Sequence, residues 1–432
     1  MKLFGTMSVV DNMLEIGGVS MKTLKETYGT PLYIYDEVLL RETASLFVDS
    51  FKGKTLEGVV AYASKAFLSI AMAQLATQEG LAIDVASAGE LFTVHKSGFD
   101  MSRVYFHGNN KLREELELAV ELNCGVIVLD HRNEVSLLES VLQEKGATMN
   151  VLLRVNPGID AHTHEYIKTT TLDSKFGESL FDPEIMNVIQ SINDSVSLNF
   201  LGLHCHIGSQ IFEQESFHKA ADEILEFYKR VLDETGIRFS EVNLGGGFGV
   251  YYTKGDKPVT LDTFLPELMD HVETQVEALG LGIKRVIIEP GRSIVCNAGS
   301  TLYTVGSEKL TMSGKRYAYI DGGMSDNIRP ALYQAEYEAG IANKMNQASN
   351  TDYCVAGKLC ESGDVIINSV KLPHVERDDL LLVPSTGAYT YSMSSNYNKL
   401  TRPAVVFVRD GHHQLVVRRQ SLNDLTQWDL NL

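Results

Sequence analysis

The residues best suited to chemistry in this chain are a lysine, a glycine run, a histidine pair and a glutamate. Lys65 ends the apolar run Val59-Val60-Ala61-Tyr62-Ala63-Ser64. Desolvation at the end of such a run favours the neutral amine, which a Schiff-base nucleophile requires; a lysine that caps a strand and extends to water is the plainer alternative. Leu244-Gly245-Gly246-Gly247-Phe248-Gly249 offers unshielded backbone N–H groups of the kind that cradle phosphate, although glycine runs also make ordinary tight turns. Its spacing does not fit the GxGxxG of a dinucleotide site. His204-Cys205-His206 sets two imidazoles on one face of an extended segment. A metal reading of that pair lacks the remaining ligands, so no metal is expected, and an imidazole can instead lie flat on a cofactor ring. Glu289 follows the apolar run that starts at Arg285.

The elements that must position these residues alternate. Eight short apolar runs read as strands from their length and β-branched content: 59–64, 81–85, 104–107, 126–129, 150–155, 200–206, 241–244 and 285–288. Helical periodicity fills the intervals at 66–78, 89–97, 111–122, 133–144, 183–192, 215–235 and 261–279, and a further helix begins at Asp36. Eight strands and eight helices in alternation predict a (β/α)8 TIM barrel over residues 36–292, near the usual length of about 250 residues. Catalytic groups gather at the C-terminal ends of barrel strands. Here those ends carry Lys65, Asp84, His107 with Asn109, Asp130, Arg154 with Asn156, His204 with His206, the Gly245–Gly247 run and Glu289. Asp130 is read as the N-cap region of the next helix, and His162 and His164 as exposed members of a polar loop.

Beyond Arg292 the helical rhythm stops, and strands bounded by Gly, Ser, Asn and Asp follow, with Arg409-Asp410-Gly411-His412 as a hairpin turn. Residues 293–432 therefore read as a second, C-terminal β-domain. The strand 31–35 has no place in the barrel and is expected to complete that domain, which assigns 1–35 and 293–432 to it.

Composition excludes several classes. The 432 residues carry a net charge of −18, so counterion release cannot drive this surface onto nucleic acid and anionic membranes repel it. No run approaches the length of a membrane-spanning helix, and the first residues lack the layout of a signal peptide, which predicts a cytoplasmic protein. The five cysteines are scattered without a CxxC, so neither a disulfide framework nor a zinc knuckle is expected.

A lysine, a phosphate cradle and a buried acid around one barrel mouth suit pyridoxal 5'-phosphate, whose pyridine nitrogen a carboxylate keeps protonated. The motifs Ala61-Tyr62-Ala63-Ser64-Lys65-Ala66, His107-Gly108-Asn109-Asn110-Lys111, Gly202-Leu203-His204-Cys205-His206-Ile207-Gly208-Ser209-Gln210, Glu289-Pro290-Gly291-Arg292, Asp326-Asn327-Ile328-Arg329-Pro330-Ala331-Leu332-Tyr333, Cys360-Glu361-Ser362-Gly363-Asp364 and Gly387-Ala388-Tyr389 occur in this order. With them the chain resembles the diaminopimelate decarboxylase family, of the alanine-racemase-like fold group, over nearly its whole length.

The resemblance implies decarboxylation of meso-2,6-diaminopimelate to L-lysine with pyridoxal 5'-phosphate as cofactor, in a homodimer with shared active sites. It implies that Lys65 carries the cofactor, that His206 stacks on its ring, and that Ser209 with Gly245, Gly246 and Gly247 holds its phosphate. Glu289 would bind the pyridine nitrogen, and Asp84, Gly291, Arg292 and Tyr389 would complete the cofactor site. Arg292, Arg329 and Tyr333 would grip the distal carboxylate of the substrate, Glu361 its distal amino group, and Tyr389 would touch cofactor and substrate. Cys360 would donate the proton. Planar guanidinium groups suit a carboxylate that must be held while another leaves. Alternatives are a related decarboxylase for arginine, ornithine or carboxynorspermidine, and a non-catalytic homologue. Phe67 and Glu178 depart from the commonest pattern, and both bear on the outer shape of the pocket.

Overall fold

The computed structural model describes residues 1–158 and 174–432; His162 and His164 lie outside the described residues. It forms two compact units, one of Ala44–Gly249 with Lys257–Gly291, the other of Met1–Thr43, Val250–Asp256 and Arg292–Leu432.

In the first unit eight parallel strands close on themselves: β1 (Glu57–Ala63), β2 (Ala82–Val85), β3 (Val104–Phe106), β4 (Val126–Leu129), β5 (Met149–Asn156), β6 (Leu198–His204), β7 (Glu241–Asn243) and β8 (Arg285–Ile288). The ring shuts where β8 pairs β1, from Arg285 opposite Glu57 to Ile288 opposite Val60. Small and β-branched residues pack its interior, among them Ala61, Ala82, Val126, Val128 and Ile287. Strands buried on both faces explain why the runs read as continuously apolar. The helix after β1 starts at Ile70 rather than Ala66, because the Ser69 hydroxyl accepts the Met72 N–H at 3.1 Å and caps it there. Ser64–Ala66 form instead a single 3₁₀ turn that presents Lys65, which is exposed. The strand β6 ends at His204, two residues earlier than its apolar pattern suggests.

In the second unit Leu32–Asp36 lies inside a sheet, as its lack of a barrel position requires. It pairs antiparallel with Gly299–Leu310 on one side and parallel with Ala404–Arg409 on the other. Arg316–Ile320, Thr351–Ala356 and Val365–Leu372 extend the sheet beyond Gly299–Leu310, and His412–Val417 forms its other edge. The last hairpin turns through Asp410 and Gly411, both with positive φ (51° and 78°), as a tight two-residue connection demands. A small three-stranded sheet, Ser8–Val10, Met13–Ile16 and Val19–Ser20, precedes the helix Met21–Tyr28. The sequence pattern gives no strand there; its signal is the Asp11-Asn12 turn, where both residues have positive φ. Among the described residues no helix is long and apolar enough to cross a membrane.

Candidate active site

At the C-terminal ends of the barrel strands the centre is a carboxylate. Glu289 is buried and accepts three hydrogen bonds: His107 Nε2 at 2.9 Å and Asn243 Nδ2 at 2.7 Å on Oε1, and His204 Nε2 at 3.0 Å on Oε2. Burial alone would raise the pKa of Glu289, but His107 and His204 outweigh it and hold the carboxyl well below its ordinary range. Burial pushes His204 down to about 4, so its ring is neutral and donates from Nε2. Its buried Nδ1 has no partner, as suits the unprotonated nitrogen of that tautomer. Asp84, also buried, lies 3.9 Å from His107 Nε2 and is pushed up to about 6 by burial and by Glu289, against the pull of His107 and Lys65. His107, His204 and Glu289 hold their potential ligand atoms within 4.8 Å of one another, the composition of a metal centre. Each Nε2 is spent on a different carboxylate oxygen, which makes the group a hydrogen-bonded cage around an anion.

The two histidines of the His-Cys-His segment part company where the strand ends. His204 points into the carboxylate cage, whereas His206 accepts the Gly246 N–H on Nδ1 at 3.2 Å. Burial, with the positive charges of Lys65 and Arg154, lowers the His206 pKa well below its ordinary value, so this ring is neutral too.

The glycine turn departs in detail from the simplest phosphate cradle. Gly245 N–H is bound by Asn243 Oδ1 at 2.9 Å and Gly246 N–H by His206; the Gly247 N–H has no acceptor among the described residues. Glycine is required at these positions by close approach. A Cβ on Gly245 would lie 2.4 Å from the Cys205 carbonyl oxygen, one on Gly246 2.1 Å from that of Glu289, and one on Gly247 2.6 Å from that of Gly208. The segment bearing Ser209 is held against the same turn, since Ile211 N–H donates to the Gly247 carbonyl at 2.9 Å. Gly291 packs likewise against the end of β1, where a Cβ would meet Ala63 at 2.9 Å.

Asp130 does not cap the following helix. Its Oδ2 accepts the Gly177 N–H at 3.1 Å and its Oδ1 lies 3.7 Å from Arg154, so it ties the end of β4 to the next loop. Glu178 is neutralised by Arg132, whose backbone N–H and guanidinium both reach it. Phe67 is buried, and its carbonyl accepts the Tyr62 hydroxyl at 2.6 Å.

In the second unit the candidate residues divide into two groups. Arg292 and Arg329 are buried, and the guanidinium of each donates to the hydroxyl of Tyr252, Arg329 at 2.5 Å. The Arg329 guanidinium carbon stands 4.9 Å from the Tyr252 ring and 6.0 Å from the Tyr333 ring, and that of Arg292 4.7 Å from the Tyr389 ring. Tyr389 takes a left-handed backbone (φ 59°), an expense that side chains with a special task repeatedly carry. Burial alone would lower the pKa of Arg329, but the facing Tyr252 and Tyr337 raise it. No carboxylate lies within ion-pair distance of Arg329 among the described residues, and its buried Nε has no acceptor.

Cys360 and Glu361 stand on an exposed turn. The Asp364 carboxylate shapes that turn by accepting the N–H groups of Leu359 (2.9 Å) and Met324 (2.6 Å), while Cys360 N–H donates to Asn398 Oδ1 at 2.7 Å. Among the described residues Glu361 makes no ion pair with Arg329.

Sequence reasoning passed over Asn243 and Tyr252. Asn243 was findable as the last residue of β7, two before the glycine run; Tyr252 belongs to no motif.

Comparison with known proteins fits this chemistry. Residues 40–296 match the family described as "Pyridoxal-dependent decarboxylase, pyridoxal binding domain". A diaminopimelate decarboxylase of Bacillus subtilis is 48% identical over 417 residues, spanning 96% of this chain and 95% of that protein. This chain belongs to the diaminopimelate decarboxylase family. Among solved members of the family, that of M. jannaschii in co-complex with L-lysine superposes with a TM-score of 0.91 at 32% identity, covering 99% of this chain and 98% of the other. The Helicobacter pylori member complexed with L-lysine has a TM-score of 0.86 at 29% identity, covering 94% and 98%.

Proposed function

We propose that this chain decarboxylates meso-2,6-diaminopimelate to L-lysine and carbon dioxide, with pyridoxal 5'-phosphate bound at Lys65. The reading is carried by one observation: Arg329, a buried cation with no carboxylate partner among the described residues, in a chain of this family. A substrate with a carboxylate at each end supplies the missing anion with the end that does not react, and a guanidinium binds it bidentately.

The barrel residues fit the cofactor. When bound, pyridoxal phosphate draws electrons away from the substrate's α-carbon so that a carboxylate can leave as carbon dioxide. Lys65 is the amine that holds it. Glu289, kept ionised by His107 and His204, stabilises a proton on the pyridine nitrogen. His206, neutral and fixed by Gly246, stacks on the ring without adding a competing charge, and Gly247 N–H and Ser209 bind phosphate. Asp84, Gly291 and Tyr389 complete the surroundings of the cofactor.

Arg292, Arg329 and Tyr333 grip the distal carboxylate and Glu361 the distal ammonium. Cys360 Sγ returns a proton to the α-carbon, a role for which a thiol in a low-dielectric site is suited. Cys360 and Glu361 are exposed on the single chain, and they serve the partner's site in a homodimer.

Purified protein incubated with diaminopimelate, ornithine and arginine in turn should release carbon dioxide fastest from diaminopimelate; equal or faster release from ornithine or arginine rejects the substrate. For the shared site, Lys65→Ala and Cys360→Ala proteins are mixed under conditions where subunits exchange. A mixed dimer carries both lesions in one site and neither in the other, so roughly a quarter of the activity should return; no recovery despite exchange places both residues in one chain's site.

A further inference from the structure

Tyr252 lies in Val250–Asp256, a short segment that leaves the barrel sequence to join the second unit. Two features hold it in place. Asp256 Oδ2 accepts the N–H groups of Tyr252 (2.8 Å) and Thr253 (3.0 Å), and Asn297 Nδ2 donates to the Tyr251 carbonyl at 2.7 Å. The ring is buried, packed edge-on against Tyr337 with centroids 5.6 Å apart. Its hydroxyl accepts one N–H from Arg292 and one from Arg329. A phenol oxygen has two acceptor positions and one proton, so both positions are filled. The neighbouring Cys296 thiol donates to the Ser385 carbonyl at 3.2 Å.

Two guanidinium groups point inward at one oxygen. Two buried like charges repel at this range, and a shared neutral acceptor with electron-rich ring faces beneath both is what keeps them side by side. We infer that Tyr252 is the positioning residue of the carboxylate grip: it does not touch substrate, but it fixes Arg292 and Arg329 as a pair that receives the non-reacting carboxylate. The inference rests on the proposed function, since the anion it concerns is the substrate's distal carboxylate.

Tyr252→Phe keeps the ring and removes the shared acceptor. Hydrogen bonds to charged groups carry enough energy that KM for diaminopimelate should rise about tenfold to hundredfold, with kcat within about twofold of the parent, the signature of lost uniform binding. Competitive inhibition by pimelate, the seven-carbon dicarboxylate, should weaken by the same factor. Because Tyr252 acts through Arg292 and Arg329, the double variant R329A/Y252F should lose clearly less than the sum of the two single losses, a result that general loosening of the fold does not produce. An unchanged KM, a fall in kcat equal to that in kcat/KM, or full additivity with R329A overturns the inference. Should Y252F fold poorly, Asp256→Ala, which releases the same turn, carries the same expectation on KM and pimelate. If the parent holoenzyme does not decarboxylate diaminopimelate, the proposed function fails, and pimelate binding followed by cofactor absorbance still tests Tyr252.

Discussion

Two buried charges, one in each unit, are treated in opposite ways. Glu289 in the barrel has its counterparts built in: His107, His204 and Asn243 occupy both carboxylate oxygens. Arg329 in the β-unit has a phenol oxygen and aromatic faces, but no anion among the described residues. The first arrangement is complete without a ligand and serves to hold one ionisation state. The second is left without an anion, and on the proposed function the missing partner is the substrate's distal carboxylate. A buried charge whose partners are internal is thus held in one ionisation state by the chain itself, whereas Arg329, which lacks an anion, is on the proposed function a determinant of substrate binding.

The comparison can be broken most severely at Lys65. Lys65→Ala should abolish both the visible absorption of the purified holoenzyme and its turnover, and retention of both would detach the barrel cluster from cofactor chemistry altogether. Next in size, Arg329→Ala should lower kcat/KM on diaminopimelate by roughly 3–5 kcal/mol, as when one partner of a buried pair is removed. Its melting temperature should be unchanged or higher, because a buried cation without an anionic partner is gone; marked destabilisation would show that the site is not open in the sense argued. Glu289→Ala should behave in the opposite manner and destabilise the apoprotein. It strands three buried donors at about 1–3 kcal/mol each before relaxation, measurable as a lower denaturation midpoint without any substrate present.

The smallest effect concerns pH. His204 has a folded pKa of about 4, below its ordinary 6.5, so its contribution to stability is present above 6.5 and is lost as pH falls toward 4. Asp84 runs the other way: with a folded pKa of about 6 against 3.8, its contribution is full below 3.8 and is lost as pH rises through 6. In thermal melts of apoprotein, the advantage of the parent over His204→Asn should therefore shrink between pH 6.5 and pH 4. A difference constant across that range would mean that His204 is not held neutral.

Much of this was legible in the sequence for identifiable reasons. Strands buried on both faces must be continuously apolar, so the eight runs stood out. Their last residues named Lys65, His206 and Glu289 without reference to distant contacts. Leu32–Asp36 was placed by elimination, since a ninth strand has no room in the barrel. What escaped was non-local. Tyr252 follows the glycine run by a few residues, and nothing nearby signals that its segment joins the other unit. Asp130 looked like a helix cap because it precedes a helix, but Gly177, remote in sequence, claims its oxygen. Glu178 looked out of place only while its partner Arg132 was unknown.

The position of Leu32–Asp36 also sets a timetable. Its parallel neighbour is Ala404–Arg409, so this strand cannot complete its sheet until residues 404–409 have been made. At roughly 5–20 residues per second, the interval is on the order of 20–70 s. The barrel strands all lie between these two segments and can close during that time. An unpaired apolar strand such as Leu-Tyr-Ile-Tyr is an adhesive edge while it waits. Nascent chains arrested before residue 404 should therefore be the aggregation-prone species of this protein, and it is the emergence of residues 404–409 that retires the hazard.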